Sequence, residues 1–370
     1  MSTTRADVLV VGAGPAGIAA AIAASLKGFR VTVADPRKPP IDKACGEGLL
    51  PEAVSALRAL GIDLHPGLAF PLSGIRFVDD QFSATGALPR GAAFGMRRTS
   101  LHHLLLDRAA QVGVSFLWGS RVSGLHPEGA MVSGRRFFSK WVIGADGQNS
   151  SVRKWAGLDS RRAIHARFGF RRHFAAEPWT DAVEVYWAER CQMFVTPTAH
   201  NEVCVAFLSR DSRLRLDSAL TFFPAVAQKL LSAEATSAEL GSVTALSEAR
   251  AVHSERVFLV GDASFTVDAI AGQGMGLGFQ QAIALADALE RNDSMQYASA
   301  HRRITLMPAR VTRLLLEMSK RTWLRRKALR LFSGNPGLFA RVVSIHTGET
   351  LSGELNMREV FGLGWQVLRA

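Results

Sequence analysis

The segment Val8–Leu26 constrains the fold of this chain more than any other part of the sequence. A short apolar run typical of a buried parallel strand leads into the motif Gly12-Ala-Gly-Pro-Ala-Gly17, and an alanine-rich helix follows. Gly12 would permit a tight turn, Gly14 the close approach of a pyrophosphate, and Gly17 the packing of the helix against the strand. The next apolar strand ends in Asp35, at the distance expected for a ribose-binding carboxylate. The pattern predicts a dinucleotide-binding βαβ unit.

The same segment could be mistaken for a membrane span or a signal peptide. It carries no charged side chain and is nearly long enough to cross a bilayer. However, three glycines and a proline interrupt it, and Arg5 and Asp7 directly precede it. It also lacks the cationic start, the unbroken apolar core and the cleavage site of a signal peptide. We therefore expect a soluble, cytoplasmic protein.

Composition excludes several other classes of protein. A chain of 370 residues, 48% of them hydrophobic, is long enough for two intimately joined domains or one large domain. Its three cysteines form no even disulfide framework, which favours a reducing compartment, and no Cys/His cluster has metal-ligand spacing. The formal net charge is +12, yet no nucleic-acid-binding motif accompanies it. We therefore expect neither a metal site nor a nucleic-acid partner.

Two later segments repeat the strand-to-turn pattern of the first. A buried strand ends in Ala-Asp146-Gly147, and a serine-capped helix start follows. Another buried strand, Val257–Val260, ends in Gly-Asp262. Further on, the glycine-rich run 272–278 precedes a predicted helix, Phe279–Leu289, and such a helix start attracts anions. These segments indicate that the nucleotide-binding domain is discontinuous.

A run of strands separates the second of these sites from the third. The strands within 164–208 follow one another without helices, which indicates a mostly antiparallel sheet, and one helix is expected at about 218–233. The sequence therefore predicts an α/β fold: a Rossmann-like domain with a parallel sheet, an inserted, mostly antiparallel β-sheet domain for the substrate, and a C-terminal helical region. The expected boundaries are 1–74, 97–160 and 250–292 for the first domain, 75–96 and 161–249 for the second, and 293–370 for the helices.

Together the three sites resemble the FAD-dependent aromatic hydroxylases (group A flavin monooxygenases) and their relatives, the geranylgeranyl reductases and the flavin-dependent halogenases. The match covers roughly residues 6–290. It implies a Rossmann-like FAD-binding domain, with Asp35 on the adenosine ribose and Asp262 on the ribityl chain. The residues implied to bind FAD are Gly12, Gly14, Pro15, Ala16, Gly17, Asp35, Cys45, Gly46, Gly48, Arg98, Val122, Asp146, Gly147, Asp262, Gly272, Gly274, Met275 and Gly276.

The loop that contains Cys45, Gly46 and Gly48 resembles the corresponding loop of the geranylgeranyl reductases. Two glycines on either side of an acidic residue would let the backbone approach a flat ring closely. An ordinary connection between a strand and a helix is the alternative. Cys45 would face the flavin as a tentative catalytic residue, or it would be a buried, inert thiol.

The resemblance implies an FAD-dependent oxidoreductase. Where the sequence departs from the motif of one relative, the reaction of that relative ranks lower. Hydroxylation or epoxidation of a lipophilic aromatic or polyketide-like substrate ranks first, with NAD(P)H as a transient reductant. Saturation of C=C bonds in an isoprenoid or polyketide ranks second, because the reductases' motif Tyr-x-Trp-x-Phe-Pro is degraded to Gln192–Pro197. Halogenation is a remote third, because Trp187 has no tryptophan partner two residues away.

Several further side chains have both a functional and a structural interpretation. His165, His173 and His253 could act as acids or bases, but lone histidines on strands are more often structural. Four apolar residues could line a substrate cavity or belong to the core: Trp187, Met193, Phe194 and Phe207.

The C-terminal third combines basic side chains with leucines. Residues 302–330 contain ten arginines and lysines but only one acid, Glu317. A cationic amphipathic helix of this kind would make peripheral contact with an anionic membrane or a lipid-like substrate. Alternatively, its apolar residues, Trp323 and Leu324 among them, pack against the flavin domain while its charges point to water. The packed arrangement is the preferred interpretation.

Overall fold

The computed structural model describes residues 5–89, 91–159 and 164–348. Within these ranges the chain forms two eight-stranded sheets, one three-stranded sheet and ten α-helices. The strands are β1 (Arg5–Val11), β2 (Val31–Asp35), β3 (Gly48–Leu49), β4 (Phe70–Pro71), β5 (Gly74–Val78), β6 (Ser83–Ala87), β7 (Phe94–Gly95), β8 (Ser115–Trp118), β9 (Val122–His126), β10 (Gly129–Val132), β11 (Arg135–Gly144), β12 (Ile164–Ala175), β13 (Ala182–Trp187), β14 (Cys191–Ala199), β15 (Glu202–Ser209), β16 (Leu240–Glu248), β17 (His253–Ser254), β18 (Val257–Leu259) and β19 (Phe265–Thr266). The helices are α1 (Pro15–Leu26), α2 (Pro51–Ala59), α3 (Arg98–Gln111), α4 (Ser151–Trp155), α5 (Leu216–Leu220), α6 (Pro224–Lys229), α7 (Gly274–Glu290), α8 (Ser294–Lys320), α9 (Thr322–Gly334) and α10 (Pro336–His346).

The first large sheet is mostly parallel and contains the strand that leads into the glycine motif. Its strand order is β17-β18-β11-β1-β2-β8, and β1 pairs in parallel with both β2 and β11. β9 and β10 extend β11 as an antiparallel meander. Every residue of β2 is buried, as expected for a parallel strand that is covered on both faces. The predicted Rossmann-like parallel sheet is therefore confirmed.

The second large sheet is the inserted, mostly antiparallel one. Its order is β19-β16-β12-β15-β14-β13-β5-β6, and only the β13–β5 pair is parallel among its described pairs. β5 and β6 come from the part of the chain between α2 and α3, and the exact domain boundaries stay a prediction. The remaining short strands form the three-stranded sheet β3-β7-β4. The inserted sheet is thus also confirmed.

Two predicted helices differ from the observed ones. The single helix expected at 218–233 is wrong, because the chain forms the two short helices α5 and α6 there. Pro224 has no amide hydrogen and begins the second of them. The helix expected to begin at Phe279 begins at Gly274 instead, so the glycine-rich run forms its first turn.

The C-terminal helices pack against both domains. α8 lies along α7, and the Tyr297 hydroxyl donates a hydrogen bond to the Leu259 carbonyl (2.5 Å). α9 and α10 cover β6, where a Cβ on Gly86 would come within 2.6 Å of Val343. The region is therefore packed, as preferred from the sequence, but against the second sheet as well as against α7 of the predicted Rossmann-like domain.

Two details of the sequence interpretation are wrong for these helices. Trp323 is 53% exposed, so it is not part of the packed face. Arg325 does not point to water: its side chain is buried, and its Nε lies 3.7 Å from the buried carboxylate of Asp79. Helical periodicity identified an apolar face, but it could not show that an acid on another element lies opposite one of the arginines.

Candidate cofactor and substrate site

A cavity of about 1320 Å³ connects the three predicted strand-end sites with the second sheet and the C-terminal helices. All predicted cofactor residues line this cavity except Gly17 and Gly276. These residues line one part of the cavity, which we call the cofactor arm. The volume exceeds the range of about 300–1,000 Å³ that is usual for one small-molecule site. The cavity therefore has room for a cofactor and a substrate together.

The Gly12–Gly17 motif shapes the wall of the cofactor arm at the start of α1. Gly12 has a φ of 105°, and a Cβ on Gly17 would lie 2.0 Å from the Gly12 carbonyl oxygen. Helix and strand can approach this closely only at glycine. At Gly14 no atom lies within 4 Å of the Cβ position, and the residue faces the cavity. The open space there and the free amides of α1 fit the predicted pyrophosphate.

Asp35 ties the glycine motif to the end of β2. Its carboxylate is 2% exposed, and Oδ2 accepts a hydrogen bond from the amide of Ala13 (2.9 Å). Oδ1 accepts another from the amide of Arg37 (2.8 Å). A carboxylate has about four lone-pair directions, so these bonds leave acceptor capacity toward the cavity. The ribose contact of Asp35 stays a prediction.

Asp146 and Asp262 end two strands but have different surroundings. Asp146 caps α4, since its Oδ2 accepts from the Ser151 amide (2.7 Å) and its Oδ1 from the Ser150 hydroxyl (2.5 Å). Asp262 forms a half-exposed ion pair with Lys43 Nζ (3.2 Å) instead. A solvent-exposed pair of this kind is weak and can be replaced by ligand hydroxyls. Asp262 is therefore the better placed of the two carboxylates to bind a ligand.

A buried network centred on Glu47 holds the loop before β3. Glu47 is 1% exposed and has a left-handed φ of 60°. Its Oε1 accepts a hydrogen bond from the Arg98 amide (3.1 Å), and its Oε2 accepts one from His173 Nε2 (2.5 Å). Arg171 pairs with Asp42 in the same loop. The network fixes the loop against β12 of the second sheet.

The two loop glycines have different surroundings, which bears on the two interpretations of the loop. Nothing lies within 4 Å of a Cβ on Gly46, which faces open cavity. A Cβ on Gly48 would be in ordinary contact with Val183 at 3.5 Å. Close approach of a ring to the loop therefore stays a prediction that concerns Gly46. The acid between the glycines was visible in the sequence, but its buried partners on β12 were not.

Cys45 is partly exposed and lines the cavity, and its place beside the flavin stays a prediction. Burial raises the pKa of Cys45, and the nearby Glu47 carboxylate raises it further. Burial also raises the pKa of Cys204 well above its ordinary value. The thiolate is the nucleophile and the metal ligand, and both thiols stay protonated at neutral pH. The cluster of Glu47, His173 and Cys204, whose ligand atoms lie within 4.8 Å of one another, is thus a hydrogen-bonded network with a thiol beside it.

The three histidines considered from the sequence lie in different places. His173 belongs to the Glu47 network, and its Nδ1 lies 2.9 Å from the Ser237 hydroxyl. His253 stacks against Phe258 and does not line the cavity. The side chain of His165 lies outside the described residues. The structural interpretation therefore fits His173 and His253.

Beyond the cofactor arm the cavity continues as an apolar arm between the second sheet and the C-terminal helices. Its walls come from β5, β13, β14 and β15 on one side and from α8, α9 and α10 on the other. The residues that define it are Phe77, Val185, Phe194, Leu208, Leu315, Met318, Ala328, Phe332 and Phe339. Of the four apolar candidates, Phe194 and Phe207 line the cavity, whereas Met193 and Trp187 are core residues.

The sequence interpretation did not predict that residues of the C-terminal helices line this cavity. His346, at the end of α10, lines the cavity, and its Nε2 donates to the Ala271 carbonyl (2.8 Å), next to Gly272. Burial lowers the pKa of His346, so its ring is neutral at pH 7. The helical spacing of the leucines indicated a packed face, but spacing alone does not tell which surface a helix covers.

Comparisons with known proteins agree with this geometry. A family model described as an FAD binding domain matches residues 5–292. A menaquinone reductase from Mycolicibacterium smegmatis is 27% identical over 326 residues, which are 80% of this chain and 79% of that protein. A rifampicin monooxygenase from Rhodococcus hoagii is 25% identical over 302 residues, or 75% of this chain and 62% of that protein. The crystal structure of a geranylgeranyl bacteriochlorophyll reductase-like protein from Thermoplasma acidophilum has a TM-score of 0.79 at 20% identity, over 98% of this chain and 100% of that chain.

The match to the family model and the geometry of the cofactor arm lead to the same cofactor. The matched range contains all three strand-end sites and ends just after α7. The open space at Gly14, the free amides of α1 and the carboxylate of Asp262 fit the phosphates and hydroxyls of FAD. The chain therefore belongs to the FAD binding domain family and is an FAD-dependent oxidoreductase.

Proposed function

We propose that this enzyme is a reductase that saturates a C=C bond in a lipophilic substrate bearing an isoprenoid or polyketide chain. The observation that carries the proposal is the apolar arm, which opens into the cofactor arm and has aliphatic and aromatic walls along its length. Burial of an apolar chain between such walls is favourable by about 25 cal/mol per Å² of apolar surface. The arm thus selects a substrate by an apolar chain, and delivers part of that chain to the cofactor.

The relatives support reduction as the reaction. The match to the menaquinone reductase covers most of both chains, and the name of that protein gives reduction as its reaction. A digeranylgeranylglycerophospholipid reductase from Methanothermobacter thermautotrophicus is 34% identical over 174 residues, 42% of this chain and 43% of that protein. These names favour reduction over the hydroxylation that ranked first from the motifs.

The residues of the chain would bind and orient the reactants. FAD, when bound, supplies the chemistry of hydride transfer. The amides at the start of α7, beside Gly272 and Gly274, would stabilise negative charge on the reduced ring. His346 and Gln273 hold that helix start against α10, since Gln273 Nε2 donates to the His346 carbonyl. NAD(P)H would be the transient source of electrons.

Monooxygenation is the second candidate, and the cover over the apolar arm favours it. Helices α8–α10 lie over this arm, and partial exclusion of water from a site limits side reactions. The rifampicin monooxygenase is the relative whose name supports this reaction.

An oxygen-free turnover experiment separates the two candidates. The holoenzyme would be reduced chemically in the absence of oxygen and mixed with a polyprenyl quinone, a geranylgeranyl lipid or a lipophilic phenol. Flavin absorbance near ~450 nm would then report reoxidation. We expect reoxidation by a polyprenyl compound without oxygen and a product whose prenyl chain has gained two hydrogen atoms. A quinol with an unchanged prenyl chain would refute saturation of the C=C bond. Reoxidation that requires oxygen, with a product that has gained one oxygen atom, would establish the monooxygenase and refute the reductase.

A further inference from the structure

We propose that the outer face of α8 docks on an anionic lipid bilayer, so that the apolar arm opens toward the membrane. We call this surface the α8 face and define it by Arg303, Leu306, Arg310, Arg313 and Leu314. The inference rests on the proposed function in one respect, the lipid-like nature of the substrate. The docking itself depends only on the surface of the described residues.

The α8 face is a continuous stripe of one helix. Its members recur at intervals of three and four residues, which places them on the same side of an α-helix. All five are exposed, and Leu306 and Leu314 are 46% and 54% exposed. Leucines elsewhere on α8, such as Leu315 and Leu316, are buried against the body of the protein. The helix thus has a packed apolar face and a second face that mixes leucine with arginine.

The α8 face lies at the rim of the apolar arm. Arg310 and Leu314 belong to the face and also line the cavity, together with Met307 and Val311 of the same helix. Residues that are exposed and yet line a cavity mark a place where it opens. An apolar chain entering there would pass between the leucines of the α8 face and reach Leu315 and Met318 in the arm.

The charge of the C-terminal helices suits an anionic partner. Residues 294–346 contain eleven arginines and lysines and one glutamate, which accounts for most of the net charge of +12. Part of this charge is neutralised, since Arg326 pairs with Asp80 and Arg325 faces Asp79. Within the described ranges, Arg303, Arg310 and Arg313 have no carboxylate partner. Three of the arginines without a carboxylate partner therefore lie on the α8 face.

A lipid bilayer fits this surface better than a nucleic acid does. Arginines alone would serve a phosphate backbone, but exposed leucines between them gain nothing from it. At a bilayer surface the leucines enter the acyl boundary while the arginines contact acidic headgroups. No helix within the described residues has an apolar stretch long enough to cross a membrane. Contact through the α8 face would accordingly be peripheral.

Vesicle sedimentation of the holoenzyme tests the docking without any substrate. The probes are phosphatidylcholine vesicles with and without phosphatidylglycerol, at low and at high salt. We expect binding to the acidic vesicles alone, and weaker binding at high salt, because the screening length falls to about 8 Å at physiological ionic strength. The variant Arg303→Gln/Arg313→Gln should bind roughly tenfold or more weakly, and Leu306→Ser should also lose affinity.

Matched controls remove the same charge and the same apolar surface elsewhere. Arg135→Gln/Arg136→Gln neutralises two exposed arginines on β11, and Leu231→Ser replaces a leucine that is 82% exposed beside α6. Both controls should keep vesicle binding. Absence of binding to acidic vesicles at low salt would overturn the proposal, and so would equal losses in the α8 variants and their controls.

Turnover distinguishes failure of the docking from failure of the proposed reaction. Arg303, Leu306 and Arg313 do not line the cavity, so turnover of a short, water-soluble prenyl acceptor should be unchanged in their variants. Turnover of a long-chain acceptor embedded in acidic vesicles should fall in parallel with binding. Vesicle binding in an enzyme that reduces no prenyl acceptor would refute the reductase but leave the docking intact.

Discussion

The cofactor arm and the apolar arm belong to one cavity but are built in different ways. The cofactor arm consists of backbone at strand ends and helix starts, where glycines such as Gly12 and Gly17 allow contacts that a Cβ would prevent. The apolar arm consists of side chains from strands and helices that lie far apart in the sequence, for example Phe77 and Phe339. Because its walls are backbone, the cofactor arm tolerates little substitution. The apolar arm has side-chain walls, so single substitutions can change its shape.

A buried ion pair and a buried hydrogen bond join the two regions. Arg167 of β12 pairs with Asp268 just before Gly272. His173 Nε2 of β12 donates a hydrogen bond to Glu47 of the loop before β3. All four side chains are almost completely buried. Removal of one partner from a buried pair costs about 3–5 kcal/mol, because the other charge stays buried without compensation. These contacts hold the loop before β3 and the segment before Gly272 in a fixed position relative to the second sheet.

The largest expected effect is that of a methyl group at Gly17. Gly17→Ala places its Cβ 2.0 Å from the Gly12 carbonyl oxygen, so the backbone of α1 must move away from β1. We expect loss of FAD from the purified protein and a fall in the free energy of unfolding of about 3 kcal/mol or more. Flavin absorbance and chemical denaturation measure the two quantities.

Gly14→Ala is the matched control within the same motif. No atom of the protein lies within 4 Å of its Cβ position, so we expect the apoprotein to keep its stability. FAD affinity should nevertheless fall, because the added methyl group occupies the space predicted for the pyrophosphate. If Gly14→Ala bound FAD as tightly as the native protein, the pyrophosphate would not lie against Gly14.

The cofactor arm could be predicted from the sequence because its determinants are local. Each of the three segments is a strand followed by a glycine or an acid. Such a segment specifies a strand end without any contribution from distant parts of the chain. Gly276 is an exception among the predicted cofactor residues, because it faces Glu52 of α2 rather than the cavity. A glycine pattern shows that something approaches closely, but it does not tell whether a ligand or another helix does so.

The apolar arm and the buried contacts that join the two regions could not be predicted, because they depend on the tertiary structure. The acid of the loop before β3 is visible in the sequence, yet nothing in the sequence connects Glu47 with His173 on β12. Arg325 was similarly read as a solvent-facing charge, although Asp79 lies opposite it. Burial of a charged residue is decided by its partner, and such partners are far away in the chain.

A pH-dependent contact between the regions gives the next largest effect. Burial raises the pKa of Glu202, but hydrogen bonds from Arg97, Thr198 and Thr236 outweigh it and lower the pKa from 4.5 to about 2. A carboxyl group with a lowered pKa stabilises the fold above its ordinary pKa, and the contribution is lost as the pH falls from about 4.5 to about 2. At about 1.4 kcal/mol for each pH unit between about 4.5 and about 2, we expect a contribution of about 3 kcal/mol.

Denaturation of the native protein and Glu202→Gln at about pH 6 and about pH 2.5 measures this contribution. The native protein should be the more stable at the higher pH, and the difference between the two proteins should shrink by about 2 kcal/mol at the lower pH. Asp63→Asn, which removes an exposed pair with Arg58, should change stability by less than about 1 kcal/mol at either pH. A difference between native and Glu202→Gln that does not vary with pH would contradict the assigned role of Arg97.

The smallest expected effect on the protein itself comes from filling the apolar arm. Ala328 of α9 is buried but lines the cavity, so the phenyl ring of Ala328→Phe would extend into space that the proposed substrate chain occupies. We expect FAD content and the free energy of unfolding to stay within about 1 kcal/mol of the native values, because the added volume fills a cavity instead of compressing a packed core. Turnover of a long-chain prenyl acceptor should fall about tenfold, which corresponds to about 1.4 kcal/mol, while a short acceptor that ends before α9 should be reduced at the native rate. Equal losses with both acceptors would mean that the ring disturbs the cofactor arm. No loss with either would mean that the substrate chain does not enter between the second sheet and the C-terminal helices.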